Sequence, residues 1–313
     1  MRLAFFGSPP FADPAFAALL ASGLEVVGLV TSPPRRSGRG RREAENPLVT
    51  SAEAHGVPVL HPESARDATF KQDFAAWQVD VGVVVSYGQL LDQELLDLPR
   101  QGCLNLHGSL LPRWRGASPV QAALLAGDEV TGVCLQRMVL ALDAGPVVAA
   151  RETAIAADEE APALFARLSE LGAALTVDFL QEVADGGGVV PAGEAQDEAA
   201  VTVCRKIRKE DGCLDWSLPA AEVERRVRAM AGWPCGQTAL PDGSGLKVHR
   251  GRMVAGAGVP GTVLEIGDSL VVACGDGAYA IEELQREGKA RMAAADFLRG
   301  ADLTPGALLV EPA

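Results

Sequence analysis

The chain has 313 residues, of which 48% are hydrophobic and 22% are charged, a composition typical of folded globular proteins and not of disordered ones. The length predicts two domains, because single hydrophobic cores stop growing at roughly 250–300 residues. No apolar run reaches the about 20 residues that a membrane span needs. The chain opens as a strand rather than as a signal peptide, which predicts a cytoplasmic protein.

Strand-like runs alternate with helical patterns in the first half of the chain. Strands are predicted at 2–7, 25–31, 57–61, 79–88, 102–109 and 131–139, and helices at 14–21, 46–54, 68–78, 118–126 and 161–183. The strands are nearly continuous runs of apolar residues, which is typical of strands buried on both faces. This half therefore predicts an α/β domain with a doubly wound, mostly parallel sheet.

The second half has a different pattern. The Gly/Pro/acid stretch GGGVVPAGEAQDEAA predicts a linker. A helix at 220–230 and short strands at 236–243, 246–253, 261–268, 269–277 and 278–284 follow it. Evenly spaced short strands predict a small β-barrel. We therefore expect a first domain at 1–188, a linker at 189–204 and a barrel domain at 205–313.

The net charge of −13 argues against non-specific binding of nucleic acid, so local basic segments are informative. The first is RRSGRGRR, with Arg35, Arg36, Arg39, Arg41 and Arg42; the second is RKIRK, with Arg205, Lys206 and Arg208. Guanidinium groups suit phosphate contacts, which predicts a polyanionic partner. A solvated surface is the alternative reading of such charge runs.

Six scattered cysteines form no CxxC pair and have no histidine at metal-ligand spacing. In the expected compartment, we predict reduced and mostly buried thiols, and no metal site. The loop FGSPPFADPAF follows the first strand, where a dinucleotide site would require GxGxxG. Pro9 stands in place of the second glycine and removes both space and a donor. This excludes a nicotinamide cofactor there.

The segment GCLNLHGSLLPRWRG carries the strongest candidate site. Asn105 and His107 are two residues apart in a predicted strand, so both side chains project from one face. Asp143 lies in the LDAGP turn after the strand at 131–139. An amide, an imidazole and a carboxylate are thus expected to meet at the edge of the sheet. The alternative for His107 alone is a structural role.

At these residues, the stretch NLHGSLLPRWRGASP resembles the central motif of the folate-dependent formyltransferases. FGSPPFA resembles the opening loop of that family, SYGQLL its folate-pocket segment and LDAGP its catalytic-aspartate turn. RKIRKEDGCLDW, RAMAGWPCGQT and LQREGKARMAAADFLRG resemble the members that act on methionyl-tRNA. The likeness extends over nearly the whole chain.

The resemblance implies a Rossmann-like first domain, an OB-like barrel and transfer of a formyl group from 10-formyltetrahydrofolate to the amino group of initiator methionyl-tRNA. It implies Asn105, His107 and Asp143 as catalytic residues. It implies folate contacts at Ser109, Leu110, Leu111, Pro112, Tyr87 and Gly88. The RRSGRGRR loop would enter the acceptor stem of the tRNA, and RKIRK would contact the same partner. No metal and no obligate protein partner are implied, and the acidic surface favours a monomer.

Four residues depart from the usual family pattern: Ser8, Val139, Leu140 and Gly232. For Arg113 and Arg115, contact with a ligand and a solvated loop both remain open. Three alternative functions also remain: a formyltransferase for a small amine such as a nucleotide-linked amino sugar, a hydrolase with water as acceptor, and a non-catalytic RNA-binding protein.

Overall fold

The computed structural model describes residues 1–33, 36–37, 42–43 and 45–310, and only the backbone of residues 36–37 and 42–43. The chain forms two compact units. The first comprises Met1–Pro119, Val130–Ala154 and Phe165–Cys204. The second comprises Val120–Glu129, Ile155–Leu164 and Arg205–Ala313. Residues 189–204, which the sequence predicts as a linker, thus lie in the first unit.

The strands of the first unit lie in the first half of the chain, except for one later strand. In chain order they are β1 (Arg2–Gly7), β2 (Glu25–Val30), β3 (Arg36–Ser37), β4 (Arg42–Glu43), β5 (Val59–Leu60), β6 (Val81–Val85), β7 (Cys103–His107), β8 (Arg115–Gly116), β9 (Val130–Arg137), β10 (Val147–Ala154) and β11 (Val203–Cys204).

The helices of this part of the chain are α1 (Asp13–Ala21), α2 (Pro47–Ala54), α3 (Ala68–Ala76), α4 (Gln93–Asp97), α5 (Pro119–Ala126) and α6 (Ala161–Asp185). Three of them begin where the sequence supplies a cap; at α4 it is Asp92, which accepts a hydrogen bond from the Leu95 N–H. Asn46 accepts a hydrogen bond from the Leu48 N–H at the start of α2, and Asp67 accepts one from the Phe70 N–H at the start of α3. Such caps satisfy backbone donors that a helix start leaves unpaired.

Within the described residues, seven strands form one sheet in the order β10-β9-β7-β6-β1-β2-β5. β1 runs parallel to β2 and β6, β2 to β5, and β6 to β7. β9 is antiparallel to both β7 and β10. The prediction of an α/β fold with a mostly parallel sheet is confirmed. β10 was not predicted, because its side chains alternate between partly buried and exposed at the edge of the sheet.

Adjacent phenylalanines of β1 show that helices cover both faces of this sheet. Phe5 packs on Phe16 of α1, with 4.9 Å between ring centroids, and Phe6 packs on Phe74 of α3 at 5.2 Å. Successive side chains of a strand point to opposite faces. Burial on both faces explains why β1 and β6 read as continuous apolar runs.

The strand order reverses between β1 and β6, which is where an open α/β sheet leaves a crevice at its carboxyl ends. The two strand ends are joined there by hydrogen bonds from the Ser8 N–H to the Val85 carbonyl (3.4 Å) and from Ser8 Oγ to the Tyr87 carbonyl (3.3 Å). Ser8, one of the departures from the family pattern, thus contributes its hydroxyl to the loop contact.

The second unit is built on an antiparallel sheet. Its strands are β12 (Gly236–Ala239), β13 (Gly245–Val254), β14 (Val263–Ile266), β15 (Leu270–Ala273), β16 (Ala278–Arg286) and β17 (Met292–Ala293), and its helices are α7 (Ala220–Ala229) and α8 (Ala294–Leu298). The strand order is β12-β13-β16-β15-β14, with β17 beside β16. Single bridges join Val310 to Ala239 and Leu308 to Thr262, so one segment reaches residues near both edge strands.

Most of the core of the second unit comes from one face of this sheet. Trp216, Val248 and Tyr279 lie in it, and α7 adds Val223 and Val227. The spacing of the two valines by four residues places them on one side of the helix. Trp216 Nε1 donates a hydrogen bond to Thr238 Oγ1 (3.1 Å), so the buried indole N–H is satisfied.

His249 in β13 is expected to make the second unit sensitive to acid. Its Nε2 lies 3.0 Å from Gln285 Oε1. Burial lowers the pKa of His249 below its ordinary value of 6.5; the bond to Gln285 opposes this shift, whereas Arg291 and Lys247 reinforce it. The folded unit therefore prefers the neutral imidazole. The stability contributed by the neutral His249 imidazole is present above the pKa that His249 has in the unfolded chain. It is lost as the pH falls through the lower pKa that His249 has in the folded unit.

The check is amide hydrogen exchange of β13 and β16, which reports the free energy of local opening. Between about pH 7.5 and about pH 5.5, the opening free energy should fall more for the wild-type chain than for His249→Gln, because only the former must take up a proton on opening. Equal pH dependence of the two chains would contradict the prediction.

No helix within the described ranges combines the length and the apolar character that crossing a membrane requires.

Candidate active site

Strand β7 presents the two predicted side chains from one face. Leu104 and Leu106 point to the opposite face and are buried, and Leu106 lies against Gly172 of α6, where a Cβ would come within 2.7 Å of it. Cys103, Asn105 and His107 share the other face because side chains alternate along a strand. The sequence pattern N-x-H therefore places an amide and an imidazole side by side at the end of a buried strand.

Asp143 reaches the same place from the loop between β9 and β10. The loop begins beside β7, where the Met138 N–H donates to the Cys103 carbonyl (2.8 Å). Asp143 has φ 50, a left-handed conformation that aspartate tolerates better than most residues. Gly145 has no room for a side chain, since a Cβ would lie 1.7 Å from the Arg137 carbonyl oxygen. The LDAGP turn thus folds back over β7.

The Asp143 carboxylate is the centre of the site, and its side chain is 10% exposed. Oδ2 accepts a hydrogen bond from the Gly116 N–H (2.8 Å), and Oδ1 accepts one from Gln136 Nε2 (3.0 Å). Asn105 Nδ2 donates to Oδ1 at the longer distance of 3.3 Å, and His107 Nδ1 lies 3.7 Å from Oδ2. The structure therefore brings the amide, the imidazole and the carboxylate together.

The orientation of His107 is set by its other nitrogen. Nε2 lies 2.9 Å from the Trp114 carbonyl oxygen, which can only accept, so Nε2 carries a proton and Nδ1 is the nitrogen that faces Asp143. Trp114 has φ 61, a left-handed conformation that is uncommon for a bulky residue. The bent backbone at Trp114 thus aims a carbonyl at the imidazole.

Gly116 can adopt its position only as a glycine. Its φ is 119, and a Cβ there would lie 2.0 Å from the Cys204 carbonyl oxygen. This close approach comes from the parallel pairing of β8 with β11. The same pairing keeps the Gly116 N–H in place, and this N–H donates a hydrogen bond to the Asp143 carboxylate.

The predicted folate-binding residues fall into two groups. Ser109 is buried and its Oγ donates to the Arg113 carbonyl (2.6 Å), while Leu110, Leu111 and Pro112 are partly exposed beyond His107. Gly88 is exposed at the end of the β6 loop.

Tyr87 differs from the other predicted folate contacts, because its side chain is a core residue. It is 1% exposed and packs edge-on against Phe6. Burial raises the pKa of its hydroxyl to about 12. A ligand contact at this segment would therefore depend on the exposed neighbours of Tyr87, which are Ser86 and Gly88.

A cavity of about 600 Å³ lies beside the Asp143 loop, and the sequence did not predict it. Its walls come from the α4 region, from the start of β7 and from the loop after β9, and they include Leu96, Cys103, Met138, Val139 and Pro146. Burial raises the pKa of the Cys103 thiol to about 12, so this thiol is neutral in the wall. The signal for this cavity in the sequence was the apolar Val139, which the sequence pattern showed only as a departure from the family.

Sequence reasoning also missed two glutamines. Gln136 is 2% exposed in β9, and a polar residue within the buried run VCLQR could have indicated its contact with Asp143. Gln196 donates through Nε2 to the carbonyls of Asp143 (2.8 Å) and Gly145 (2.7 Å). Nothing in the surrounding Gly/Pro/acid stretch indicates such a role.

The loop arginines take different positions. The Arg113 guanidinium lies 4.5 Å from the centroid of the Trp114 ring, a cation–π arrangement. The side chain of Arg115 is 10% exposed, and it bonds to Gln196 Oε1 (2.9 Å) and to Glu198 (2.8 Å). Arg115 is thus tied into the protein, which favours a structural role over direct contact with a ligand.

The basic segments are only partly described. Arg35, Arg39 and Arg41 lie outside the described residues, and the backbones of Arg36 and Arg42 belong to the paired strands β3 and β4. In the second segment, Arg205, Lys206 and Arg208 are all exposed. Arg205 forms an ion pair with Asp211, and Arg208 lies 3.8 Å from Glu210. Among the residues that the structure describes, no group of His, Cys, Asp and Glu side chains is suited to hold a metal ion.

Comparison with known proteins gives consistent matches to one family. The family model for formyl transferase matches residues 1–180, and the model for the formyl transferase C-terminal domain matches residues 206–302. A methionyl-tRNA formyltransferase of Parvibaculum lavamentivorans is 46% identical over 309 residues, which are 98% of this chain and 99% of the relative.

Two solved structures share the fold. WlaRD, a sugar 3N-formyl transferase, has a TM-score of 0.68 at 13% identity, covering 93% of this chain and 99% of its own. HypX from Aquifex aeolicus, in complex with tetrahydrofolic acid, has a TM-score of 0.62 at 18% identity; the match covers 95% of this chain and 47% of HypX, so the chain spans about half of that protein. The matches along the whole length show that the chain belongs to the formyl transferase family and, within it, to the methionyl-tRNA formyltransferases.

Proposed function

We propose that the chain transfers the formyl group of 10-formyltetrahydrofolate to the α-amino group of initiator methionyl-tRNA, giving N-formylmethionyl-tRNA for translation initiation. One observation carries the proposal: Asn105 and His107 lie beside the nearly buried carboxylate of Asp143. The chain that holds them is 46% identical, along its whole length, to a methionyl-tRNA formyltransferase. A non-catalytic RNA-binding protein has no use for that arrangement.

The chemistry is an acyl transfer between two nitrogens. The amine nitrogen attacks the formyl carbon, the carbonyl oxygen becomes an oxyanion, and the bond from carbon to the folate nitrogen then breaks. The amine loses one proton and the folate nitrogen gains one. A free α-amino group has a pKa of about 7.7–8.0, so much of the amine is neutral near pH 7.5 and needs no strong base. The oxyanion is the species that requires stabilisation.

The three side chains suit these needs. Asn105 supplies an amide N–H as a donor to the oxyanion. His107 would add a second donor through an N–H at Nδ1, because its Nε2–H is bonded to the Trp114 carbonyl. Asp143 accepts the proton that the amine loses and can return it to the leaving nitrogen. Gly116 and Gln136 hold the carboxylate at 2.8 and 3.0 Å, so Asn105, at 3.3 Å, is the donor most easily released to a substrate oxygen.

The cavity beside the Asp143 loop supports a place for the folate ring system. Its volume of about 600 Å³ is within the range of about 300–1,000 Å³ for small-molecule sites. Cys103 lines it and precedes Asn105 by two residues on the same face of β7, a step of about 7 Å along a strand. Ser109 to Pro112 lie beyond His107 and are proposed to contact the carrier from the other side, together with the segment that holds Tyr87 and Gly88.

For the tRNA, we propose contacts by the two basic segments RRSGRGRR and RKIRK. The second unit is proposed to be an OB-like barrel within a domain at 205–313, after a catalytic domain at 1–188 and a connecting segment at 189–204. The bridges from Leu308 and Val310 to residues near the two edge strands support closure of the sheet. We further propose that the protein acts as a monomer in the cytoplasm.

Replacing Arg39 and Arg42 together with alanine is expected to weaken the use of tRNA and to spare folate. Each lost phosphate contact should lower the slope of log(kcat/KM) for charged tRNA against log salt by about 0.7–0.9. The measurement is a salt series of kcat/KM, with KM for the folate carrier determined in parallel. Arg66→Ala with Arg299→Ala, two exposed arginines elsewhere, is the charge-matched control. Identical salt slopes for the two double variants would show that the loop is only a solvated surface.

The proposed function itself is tested by one acceptor panel. Formyl transfer from 10-formyltetrahydrofolate is measured with charged initiator tRNA, charged elongator tRNA, a nucleotide-linked amino sugar and water as acceptors. We expect turnover with charged initiator tRNA far above that with the other three. Transfer chiefly to the amino sugar or to water would replace the proposal with one of those activities, and no transfer at all would leave the binding protein.

A further inference from the structure

We propose that residues 194–204, predicted from the sequence as part of a linker, are a component of the active site, in which Gln196 positions Asp143 and Thr202 positions His107. This inference rests on the proposed function and deepens it. Both are positioning residues, because their side chains bond to the groups that hold the site and not to the reacting groups.

Gln196 fixes the backbone of the Asp143 turn. Its Nε2 donates to the carbonyls of Asp143 (2.8 Å) and Gly145 (2.7 Å), on either side of Ala144. Its Oε1 accepts from Arg115 Nε (2.9 Å), which sets the direction of the amide. The backbone of Glu194 pairs with Val147 just after the turn, with both hydrogen bonds at 2.8 Å. The left-handed conformation of Asp143 is thus stabilised from outside the turn.

Thr202 fixes the loop that orients His107. Its Oγ1 accepts from the Trp114 N–H (2.8 Å), and its carbonyl accepts from the Arg115 N–H (2.9 Å). Trp114 is the residue with φ 61 whose carbonyl accepts from His107 Nε2. Holding the Trp114 N–H therefore also fixes the direction of the carbonyl that sets the imidazole.

The two effects converge on one carboxylate. The Ala117 N–H donates to the Cys204 carbonyl (3.2 Å), so the segment also holds the loop on the far side of Gly116, whose N–H bonds to Asp143. Left-handed backbone at a functional site persists only where its surroundings impose it. Loosening residues 194–204 should let Asp143 and His107 leave their mutual geometry while the substrate sites remain. We therefore expect the fall in kcat to be larger than the change in KM for either substrate.

The first experiment uses Gln196→Met and Gln196→Glu in the full chain. Methionine keeps the length and removes both donated hydrogen bonds, so kcat should fall about 10- to 100-fold, with KM for each substrate within about twofold. Glutamate retains the acceptor for Arg115 but places an anion against two carbonyl oxygens. Its kcat, relative to the wild-type chain, should recover as the pH falls, because only the protonated acid can donate.

Gln72→Met is the matched control, since it makes the same replacement at an exposed glutamine of α3, outside this segment. Wild-type kcat in Gln196→Met would overturn the role of Gln196. Wild-type activity of Gln196→Glu at all pH values would likewise overturn the donation to the turn, leaving only the bond to Arg115.

The second experiment compares Thr202→Val with Thr202→Ser. Valine has the same shape but no acceptor for the Trp114 N–H, so kcat should fall about 10-fold, whereas serine keeps the hydroxyl and should keep the activity. Equal kcat for the two variants would overturn the role of Thr202. If Gln196→Met unfolds, this pair of variants decides whether residues 194–204 position the site. The wild-type chain in the same assays separates the two levels: if it transfers no formyl group, the proposed function fails; if it does and all variants match it, only this inference fails.

Discussion

Asn105→Ala is expected to lower kcat for formyl transfer about 100- to 1,000-fold, the usual cost of losing one oxyanion donor. KM for the folate carrier should stay within about twofold, because the amide acts on a charge that develops only in the transition state. The fold of the site should survive. Asp143 Oδ1 still accepts from Gln136 at 3.0 Å and Oδ2 from Gly116 at 2.8 Å. The measurement is steady-state kinetics with charged initiator tRNA and 10-formyltetrahydrofolate.

Asn105→Asp is the informative companion. It keeps the size of the side chain but replaces the donor by a carboxylate beside that of Asp143, so it should be at least as inactive as the alanine variant. Asn105→Gln keeps the amide one methylene further from β7 and should recover part of the activity. Near-normal turnover of Asn105→Ala would end the oxyanion role, whereas a raised KM at constant kcat would turn Asn105 into a binding residue.

The grouping of the three side chains could be anticipated because it depends on local geometry. Asn105 and His107 share a face through the two-residue repeat of a strand, and Asp143 lies in the sharp LDAGP turn that follows β9, the strand beside β7. The parallel sheet was also predictable, since its buried strands read as apolar runs separated by helical patterns. Each of these features is indicated by a pattern within a short stretch of the chain.

The groups that hold the site could not be anticipated in the same way. Gln196 lies 53 residues from Asp143, and Thr202 lies 88 residues from Trp114. Their segment has the composition of a linker, yet its backbone pairs with β8 and with Val147. Composition indicates how readily a segment stays flexible, but it does not indicate whether another loop offers donors and acceptors to it.

Tyr87 shows a second limit of reading a motif. The segment SYGQLL resembles a folate-pocket segment, but the tyrosine ring packs on Phe6 inside the core, and the exposed residues are its neighbours Ser86 and Gly88. A motif match identifies a segment and not which atoms of it face the ligand. The cavity wall at Val139 shows the converse, since a residue that departs from the pattern lines the cavity proposed for the ring system.

Asp143→Asn should lower kcat about 100- to 10,000-fold, the range for loss of a positioned general base. Two effects contribute. The amide cannot take the proton that the attacking amine loses. It also fits its surroundings poorly: the Gly116 N–H, the Gln136 amide and the Asn105 amide all donate to the carboxylate, so either orientation of the new NH₂ group meets a donor.

Two controls separate these effects. Asp143→Ala removes the clash of donors together with the base, so added acetate should restore part of its kcat if proton acceptance is the main role. Asp143→Asn leaves no space for acetate and should not respond. If neither variant lost activity, the amine would be losing its proton to water, and the carboxylate would serve only to orient His107. If Asp143→Ala stayed inactive at every acetate concentration while its melting temperature fell sharply, the carboxylate would be chiefly a structural anchor for Gly116 and Gln136.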